Sequence, residues 1–231
     1  MHRLPGGGTL VPMLQKAPDS PKASPGPTDR YERLAQKRGC RLVAGVDEVG
    51  RGPLAGPVVV AAVTFADRRY PAGLDDSKKL TLAQRERLYA AILAQASVSI
   101  AVASRARIDR MNILQASLWA MSRAVAGLSE APDHVLVDGN KAPPGLACPC
   151  ETIIGGDRLS VSIAAASIVA KVTRDRLMAV VGRAFPGYGF EKHMGYSTPA
   201  HFAALKEHGP CPHHRQSFAP VRERQLVLDF G

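Results

Sequence analysis

Two apolar runs close together near the start of the chain constrain its fold more than any other feature. They span Arg41 to Val46 and Pro57 to Phe65, and both are typical of strands. A hairpin-like pair followed by alternating strands and helices predicts an α/β layer fold with a mixed sheet. The further predicted strands are Val98 to Ala103, His134 to Val137 and Glu151 to Ile154, and the predicted helices are Asp29 to Lys37, Leu82 to Gln95, Ile113 to Leu128, Ser162 to Ala184 and Pro199 to Glu207.

The start of the chain differs in composition from the rest. Residues 1–28 are crowded with Pro, Gly, Ser and Lys and lack apolar periodicity, which predicts a disordered leader. Order is expected from Asp29, the predicted N-cap of a short helix, with Glu32 as its capping partner. The 231 residues accommodate one domain of ordinary size besides such an appendage.

The chain carries a formal net charge of +10, which favours polyanionic partners, nucleic acid above all. Residues 1–28 hold only three of the 30 basic and one of the 20 acidic residues, so this character belongs to the folded part. No run reaches the roughly 18 apolar residues that a membrane-spanning helix needs, and no secretory signal is visible. Together with four scattered cysteines, these features predict a cytoplasmic protein.

Two adjacent acids, Asp47 and Glu48, follow the first apolar strand. Burying carboxylates there costs free energy unless a cation or hydrogen bonds compensate, so the pair suggests a metal site. Neighbouring residues of a regular strand point to opposite faces, and we therefore expect the strand to end, bend or bulge here. Gly50 and Gly52 would permit that departure. A solvent-exposed strand end is the alternative.

Two further acids occupy comparable positions. Asp138 ends a predicted strand, and Asp157 lies just ahead of the long predicted helix. Their alternatives are an Asp-Gly turn for the first and helix capping or a loop contact for the second. Asp175 is left out of the metal set, because the flanking Arg174 and Arg176 favour a structural ion pair.

Carboxylates gathered from separate segments form the oxygen-rich environment that Mg²⁺ or Mn²⁺ prefers. Two such ions can hold the attacking and leaving oxygens of an in-line displacement at phosphorus. The acids therefore predict hydrolysis of a phosphodiester bond.

A series of motifs extends this pattern along the chain. They are VDEVGRGPLAGPVVVAA from Val46, DDSKKLT from Asp75, NILQAS from Asn112, VDGN from Val137, GGD from Gly155, IAAASIVAKVTRD from Ile163, GYST from Gly195 and HRQSFAPV from His214. In identity and order they resemble bacterial ribonuclease HII, over roughly residues 40–222.

The resemblance implies a ribonuclease H-like fold, with a mixed five-stranded sheet flanked by helices. It implies a catalytic domain at 29–222 with a C-terminal helical portion, followed by a tail at 223–231, in a monomer. The implied activity cleaves the RNA strand of RNA-DNA hybrids, and cuts 5′ of single ribonucleotides in duplex DNA to leave 3′-hydroxyl and 5′-phosphate ends. Its cofactor would be Mg²⁺ or Mn²⁺, bound by Asp47, Glu48, Asp138 and Asp157.

The same resemblance assigns residues to substrate recognition. Gly50, Arg51 and Gly52 match a motif whose backbone approaches the 2′-hydroxyl of the target ribonucleotide, the group that distinguishes RNA from DNA. Tyr196 matches a tyrosine that stacks beside the RNA-to-DNA step. A buried aromatic side chain in a glycine-rich turn is the alternative for this tyrosine.

Ser167 and Lys171 lie four residues apart and so share one face of the long predicted helix. In the matching motif this face approaches the hybrid, and we predict phosphate contacts for both. An ordinary solvated lysine is the alternative.

Histidines cluster late in the chain near a cysteine, which raises the alternative of a zinc site. The residues concerned are His193, His201, His208, His213, His214 and Cys211. Their spacings match no standard ligand pattern, and we do not predict zinc.

The last residues read QLVLDF, from Gln225 to Phe230. They resemble the short motif that binds the bacterial sliding clamp, in which Gln225, Leu226, Leu228 and Phe230 would dock as an extended peptide. Such binding would suit an enzyme that removes ribonucleotides after replication. An amphipathic tail packed on its own domain is the alternative.

Two competing functions stay open. A hybrid-binding protein without catalysis would carry the same positive charge, and a DNA-directed nuclease or integrase could have the same fold. The four carboxylates favour catalysis over binding alone. The GRG motif and Tyr196 favour RNA over DNA.

Overall fold

The computed structural model describes residues 26–230, with side chains described as far as Gln225. Residues 1–25, nearly all of the predicted leader, lie outside this part. Thr28 belongs to the folded structure: its N–H donates to Leu159 O and its carbonyl accepts from Val161 N, each at 3.2 Å. The described fold therefore includes a residue that was assigned to the leader.

The centre of the molecule is one mixed sheet. Its strands are β1 Val43–Val49, β2 Val58–Thr64, β3 Ser97–Ala103, β4 His134–Asp138 and β5 Cys150–Ile153, in the order β3-β2-β1-β4-β5. The pairs β1–β2 and β2–β3 are antiparallel, while β1–β4 and β4–β5 are parallel. The predicted α/β fold with a mixed five-stranded sheet is confirmed.

Helices surround this sheet. They are α1 Arg30–Lys37, α2 Leu82–Gln95, α3 Arg105–Met111, α4 Ile113–Ala126, α5 Val161–Ala184, α6 Phe190–His193, α7 Pro199–His208 and α8 Ala219–Phe230. Short 3₁₀ turns lie at Gly156–Arg158 and Pro186–Tyr188. The prediction gave α2 its observed bounds and missed α3, which is only 7 residues long. No helix within residues 26–230 is long and apolar enough to cross a membrane.

Helices α4 and α5 cover opposite faces of the sheet. Helix α4 packs its buried alanines against apolar side chains of β1 and β2, and the alanine-rich α5 does the same on the other face. At Gly45 the backbones of β1 and α5 come into contact, because a Cβ added there would lie 2.1 Å from the carbonyl carbon of Ser162. This close approach places α5 directly beside the end of β1, where Asp47 lies.

The first helix is not capped as predicted. Asp29 makes no side-chain capping bond and instead pairs with Arg33 at 2.7 Å. Glu32 is buried, and its Oε1 accepts from Ser160 Oγ at 2.6 Å and from Ser162 N at 2.9 Å. Its carboxylate thus satisfies N-terminal donors of α5, so Glu32 anchors the helix that forms one wall of the site.

Candidate active site

Strand β1 extends beyond the end of its neighbour β4, and this difference in length creates a cleft. Pairing between them runs from Val43 opposite His134 to Val46 opposite Val137. The next residues, through Val49, still pair with β2 in an unbroken antiparallel register. One edge of β1 is therefore left without a neighbour at the point where the acidic pair occurs.

The expected break in β1 at Asp47 is wrong, since both acids belong to a regular strand. Asp47 points toward α5 and Glu48 toward α4, where Glu48 shares a groove with Ser117. Both nevertheless border the same cleft at the end of the β1–β4 pairing. Glu48 and Asp138 line the groove beside α4 as well. The alternative of a solvent-exposed strand end is wrong, because Asp47 is only 6% exposed and the side chain of Glu48 only 12%.

All four predicted carboxylates line this cleft of about 450 Å³. Asp138 is the last residue of β4, and its Oδ1 accepts from Gly156 N at 2.6 Å. Asp157 lies buried in the following 3₁₀ turn. The capping alternative for Asp157 is wrong, because the side chain of Ser160 caps α5. Gly139 adopts a φ of +101°, and the chain bends directly after Asp138.

The carboxylates disfavour one another's charge. Burial raises the pKa of Asp47 well above its usual range, and the charges of Glu48 and Asp138 raise it further. Burial likewise raises the pKa of Glu48, against the lowering effect of Arg51. The pKa of Asp157 is raised by burial first and then by the charges of Asp76 and Asp138, with Lys78 and Arg158 opposing.

This donor set fits a hard divalent cation. The Oε2 atom of Glu48 is buried and accepts no hydrogen bond, so it has an unused lone pair toward the cleft. A bound cation would offset both the cost of burial and the mutual repulsion that raise these pKa values. As their side chains are placed, no three or more His, Cys, Asp or Glu groups within the described part of the chain converge on one point closely enough to hold a metal.

A pair of buried serines supports Asp47. Ser77 Oγ and Ser167 Oγ lie 2.9 Å apart, and a hydrogen bond with Ser167 lowers the pKa of Asp47 against the larger effect of burial. Sequence reasoning assigned Ser167 to phosphate contacts and assigned no role to Ser77. The only signal for Ser77 was its place within the DDSKKLT motif.

Lys171 also lines the cleft, and its Nζ donates to Asp175 Oδ1 at 2.8 Å. Asp175 therefore forms an ion pair, but its partner is Lys171, so the prediction of a flanking arginine is wrong. Arg176 pairs with Glu86 instead, and Arg174 is fully buried. The solvated-lysine alternative fails, because the Lys171 side chain is only 21% exposed.

The GRG loop and Tyr196 border the carboxylates. Gly50 follows β1 with a φ of +96°, and Arg51 Nη1 lies 3.4 Å from Glu48 Oε1. A Cβ added at Gly52 would lie 3.9 Å from Tyr196 Cε1, so the two residues face each other closely. Tyr196 is 40% exposed, so the alternative of a buried aromatic is wrong. Sequence reasoning missed the two buried arginines beneath this loop, Arg174 and Arg215.

The late histidines form a packed cluster. Nε2 of His201 and Nε2 of His214 lie 3.0 Å apart, and the ring of His193 stacks on that of His201 at 4.6 Å. Burial is the main cause that lowers the pKa of His201, and it lowers that of His214 to about 4. Neutral rings of His201 and His214 explain how closely these two pack. Within residues 26–230 these histidines and Cys211 form no group of three or more side chains that could hold a metal ion.

The predicted tail is part of α8, which begins at Ala219 and crosses the expected boundary between residues 222 and 223. Gln225 lies half-buried in this helix. The side chains of Leu226, Leu228 and Phe230 lie outside the described ones.

Comparison with known proteins agrees with this geometry. A family model described as ribonuclease HII matches residues 44–221. Ribonuclease HII of Azorhizobium caulinodans is 59% identical over 221 residues, which cover 96% of this chain and 85% of that protein.

Two solved structures are similar in fold as well as in sequence. Ribonuclease H2 of Pyrococcus horikoshii has a TM-score of 0.70 and 27% identity, and the match covers 82% of this chain and 100% of that one. Ribonuclease HII of Archaeoglobus fulgidus, solved in complex with PCNA, has a TM-score of 0.62 and 27% identity, with 77% of this chain and 95% of that one covered.

The electrostatics of the cleft predict that Asp47→Asn stabilises the metal-free protein. Folding raises the pKa of Asp47, so ionisation of this carboxyl lowers the free energy of unfolding at pH values above the ordinary carboxyl pKa. The loss of stability disappears at lower pH, where the carboxyl is protonated in both the folded and the unfolded state. In EDTA at pH 7 we expect the variant to raise the Tm by roughly 2 °C or more, measured by calorimetry. Mn²⁺ should stabilise the variant less than the wild type.

The matched control is Asp67→Asn, which alters an exposed acid in the turn after β2. It should change neither the Tm in EDTA nor the response to Mn²⁺. A lower Tm of Asp47→Asn in EDTA, or a response to Mn²⁺ equal to that of the wild type, would contradict this account of the cleft.

Proposed function

Because this chain belongs to the ribonuclease HII family, we propose that it is a metal-dependent endoribonuclease acting on RNA-DNA hybrids and on single ribonucleotides in duplex DNA. It cuts on the 5′ side of the ribonucleotide and leaves 3′-hydroxyl and 5′-phosphate ends. The observation that carries the proposal is the single cleft into which β1, β4 and the turn before α5 bring four mutually repelling carboxylates. We further propose that it acts as a monomer in the cytoplasm.

Asp47, Glu48, Asp138 and Asp157 would hold Mg²⁺ or Mn²⁺. When bound, the metal activates water and neutralises charge that develops on the phosphate. The chain supplies the positioning: Ser167 orients Asp47, and the N–H of Gly156 orients Asp138. Such preorganised groups avoid the cost of reorientation during the reaction.

The cleft also carries cations suited to the substrate. Lys78 and Lys171 line it beside the carboxylates, and Arg51 is half exposed at its rim. Each can attract a backbone phosphate of the hybrid, a contact that fixes position without reading sequence. The net charge of +10 draws the same polyanion from a distance.

We assign recognition of RNA to the wall of the cleft formed by the GRG loop and Tyr196, which we call the recognition wall. Gly52 lies close to Tyr196 and has no side chain, which lets a sugar approach the backbone of the loop at this point. Backbone groups of the GRG loop would bind the 2′-hydroxyl, and the exposed ring of Tyr196 would stack beside the next nucleotide. This wall favours an RNA-directed enzyme over a DNA-directed nuclease.

The direct test is cleavage of an end-labelled DNA duplex that contains one ribonucleotide, with Mg²⁺ or Mn²⁺ present. The wild type should cut at the 5′ side of that ribonucleotide. Asp138→Asn should reduce the rate by at least about 100-fold, because it removes a negatively charged ligand from the centre of the cleft. Glu130→Gln, which alters an exposed acid before β4, should cut at the wild-type rate.

Each competing function has its own result in this assay. Binding of the duplex without cutting would identify a hybrid-binding protein, and equal cutting of an all-DNA duplex would identify a DNA-directed nuclease. Cleavage that persists in EDTA or in Asp138→Asn would contradict the metal mechanism.

The sliding clamp is the proposed protein partner. Support comes from the QLVLDF sequence and from the Archaeoglobus fulgidus ribonuclease HII, which was solved in complex with PCNA. Docking as an extended peptide would require the end of α8 to unwind.

Removal of residues 225–231 should abolish binding to a bacterial sliding clamp in surface plasmon resonance, and should leave cleavage of short duplexes intact. Full-length Glu223→Gln, changed just before the motif, is the matched control and should bind as the wild type does. Binding that survives the truncation, or no binding by the intact protein, would refute this partner.

A further inference from the structure

Two arginines are fully buried beneath the GRG loop. Arg174 lies in α5 and Arg215 precedes α8, and both have 0% exposure. Neither makes an ion pair with any residue in the described part of the chain. Because a buried charge without compensation is very costly, their surroundings must supply other acceptors.

Backbone carbonyls provide that compensation. Arg215 donates three hydrogen bonds, to the carbonyls of Gly50, Arg51 (2.8 Å) and Gly56 (3.0 Å). The five N–H donors of a guanidinium form a rigid planar fork, so these bonds fix the carbonyls in direction as well as in distance. The GRG loop is thus held from inside by one side chain.

The direction of these carbonyls determines the direction of the neighbouring N–H groups. In a planar trans peptide, the carbonyl of one residue and the N–H of the next point in opposite directions. When Gly50 O and Arg51 O turn inward to Arg215, the N–H groups of Arg51 and Gly52 must turn outward. Within residues 26–230 neither N–H donates a hydrogen bond, so both are available to a ligand.

Arg174 secures the other side of the loop. It donates to Ala55 O at 3.2 Å, to Pro57 O at 3.0 Å and to Met194 O at 2.9 Å, two residues before Tyr196. A Cβ added at Gly50 would lie 2.2 Å from Arg174 Nε. The first glycine of the motif is therefore required by packing against Arg174.

We propose that Arg215 is the positioning residue for recognition of the ribonucleotide, because it directs the N–H groups of Arg51 and Gly52 toward the 2′-hydroxyl. Arg174 sets the distance between this loop and Tyr196. This inference rests on the proposed function, since it requires a substrate whose 2′-hydroxyl is read. Discrimination between a ribonucleotide and a deoxyribonucleotide thus depends on a side chain that does not touch the nucleic acid.

The test compares binding of two duplexes that differ only by one ribonucleotide or deoxyribonucleotide at a single position, by fluorescence anisotropy in EDTA. The wild type should prefer the ribonucleotide duplex. Arg215→Lys keeps the charge and loses the fork, and we expect it to reduce that preference by about 10-fold or more while affinity for the all-DNA duplex changes little.

The matched control is Arg105→Lys. Arg105 also donates to a backbone carbonyl, that of Pro212, in the same segment but away from the cleft. The Arg105→Lys variant should keep the wild-type preference for the ribonucleotide duplex. A folded Arg215→Lys that keeps this preference, or that loses affinity equally for both duplexes, would overturn the inference, because a purely structural role predicts the second result.

A measurement on the wild type covers the case in which Arg215→Lys fails to fold. In NMR spectra of the ¹⁵N-labelled protein, the amide signals of Arg51 and Gly52 should differ between the complexes with the two duplexes. Identical signals would overturn the inference. If the wild type prefers neither duplex and cuts neither, the proposed function itself is wrong. If the wild type prefers the ribonucleotide duplex and the Arg215→Lys variant does so equally, only the role of Arg215 is refuted.

Discussion

Repulsion among buried carboxylates is the constraint on which the rest of the site depends. Asp47, Glu48 and Asp157 all have raised pKa values, and burial is the main cause in each case. Such groups stay together only where rigid elements hold them. The longer β1 beside the shorter β4, with α5 packed against β1 at Gly45, provides that rigidity. The same arrangement lowers the stability of the metal-free protein and, in the proposed function, would favour binding of a divalent cation.

The two walls of the cleft carry buried charges of opposite sign, and different groups compensate them. On the carboxylate wall, negative charges converge, and a cation from solution would offset them. On the recognition wall, the positive charges of Arg174 and Arg215 are buried and backbone carbonyls offset them. The first arrangement leaves an unsatisfied acceptor on Glu48, and the second leaves two N–H donors free. In the proposed function, a phosphodiester would meet the first wall through the bound cation, and a 2′-hydroxyl would accept from the N–H donors of the second.

The sequence predicted the mixed sheet, most helix bounds and the four carboxylates that line the cleft, but not Ser77 or Lys78 beside them. It was wrong where the decisive partner is distant along the chain. The adjacent acids suggested a break in β1, but pairing with β2 keeps the strand regular through Val49. Glu32 matched a local capping box, yet it bonds residues 128 and 130 positions away. Arg174 was assigned to an ion pair with Asp175, although it bonds carbonyls far along the chain.

The central claim is that the carboxylates at the end of β1 and β4 form the metal centre of the enzyme. The most direct measurement is anomalous scattering from a crystal of the protein grown with Mn²⁺ and a hybrid duplex. We expect anomalous peaks between Asp47, Glu48, Asp138 and Asp157, next to the scissile phosphate. Peaks elsewhere, such as at the buried pair His201 and His214, or none in the cleft, would contradict it.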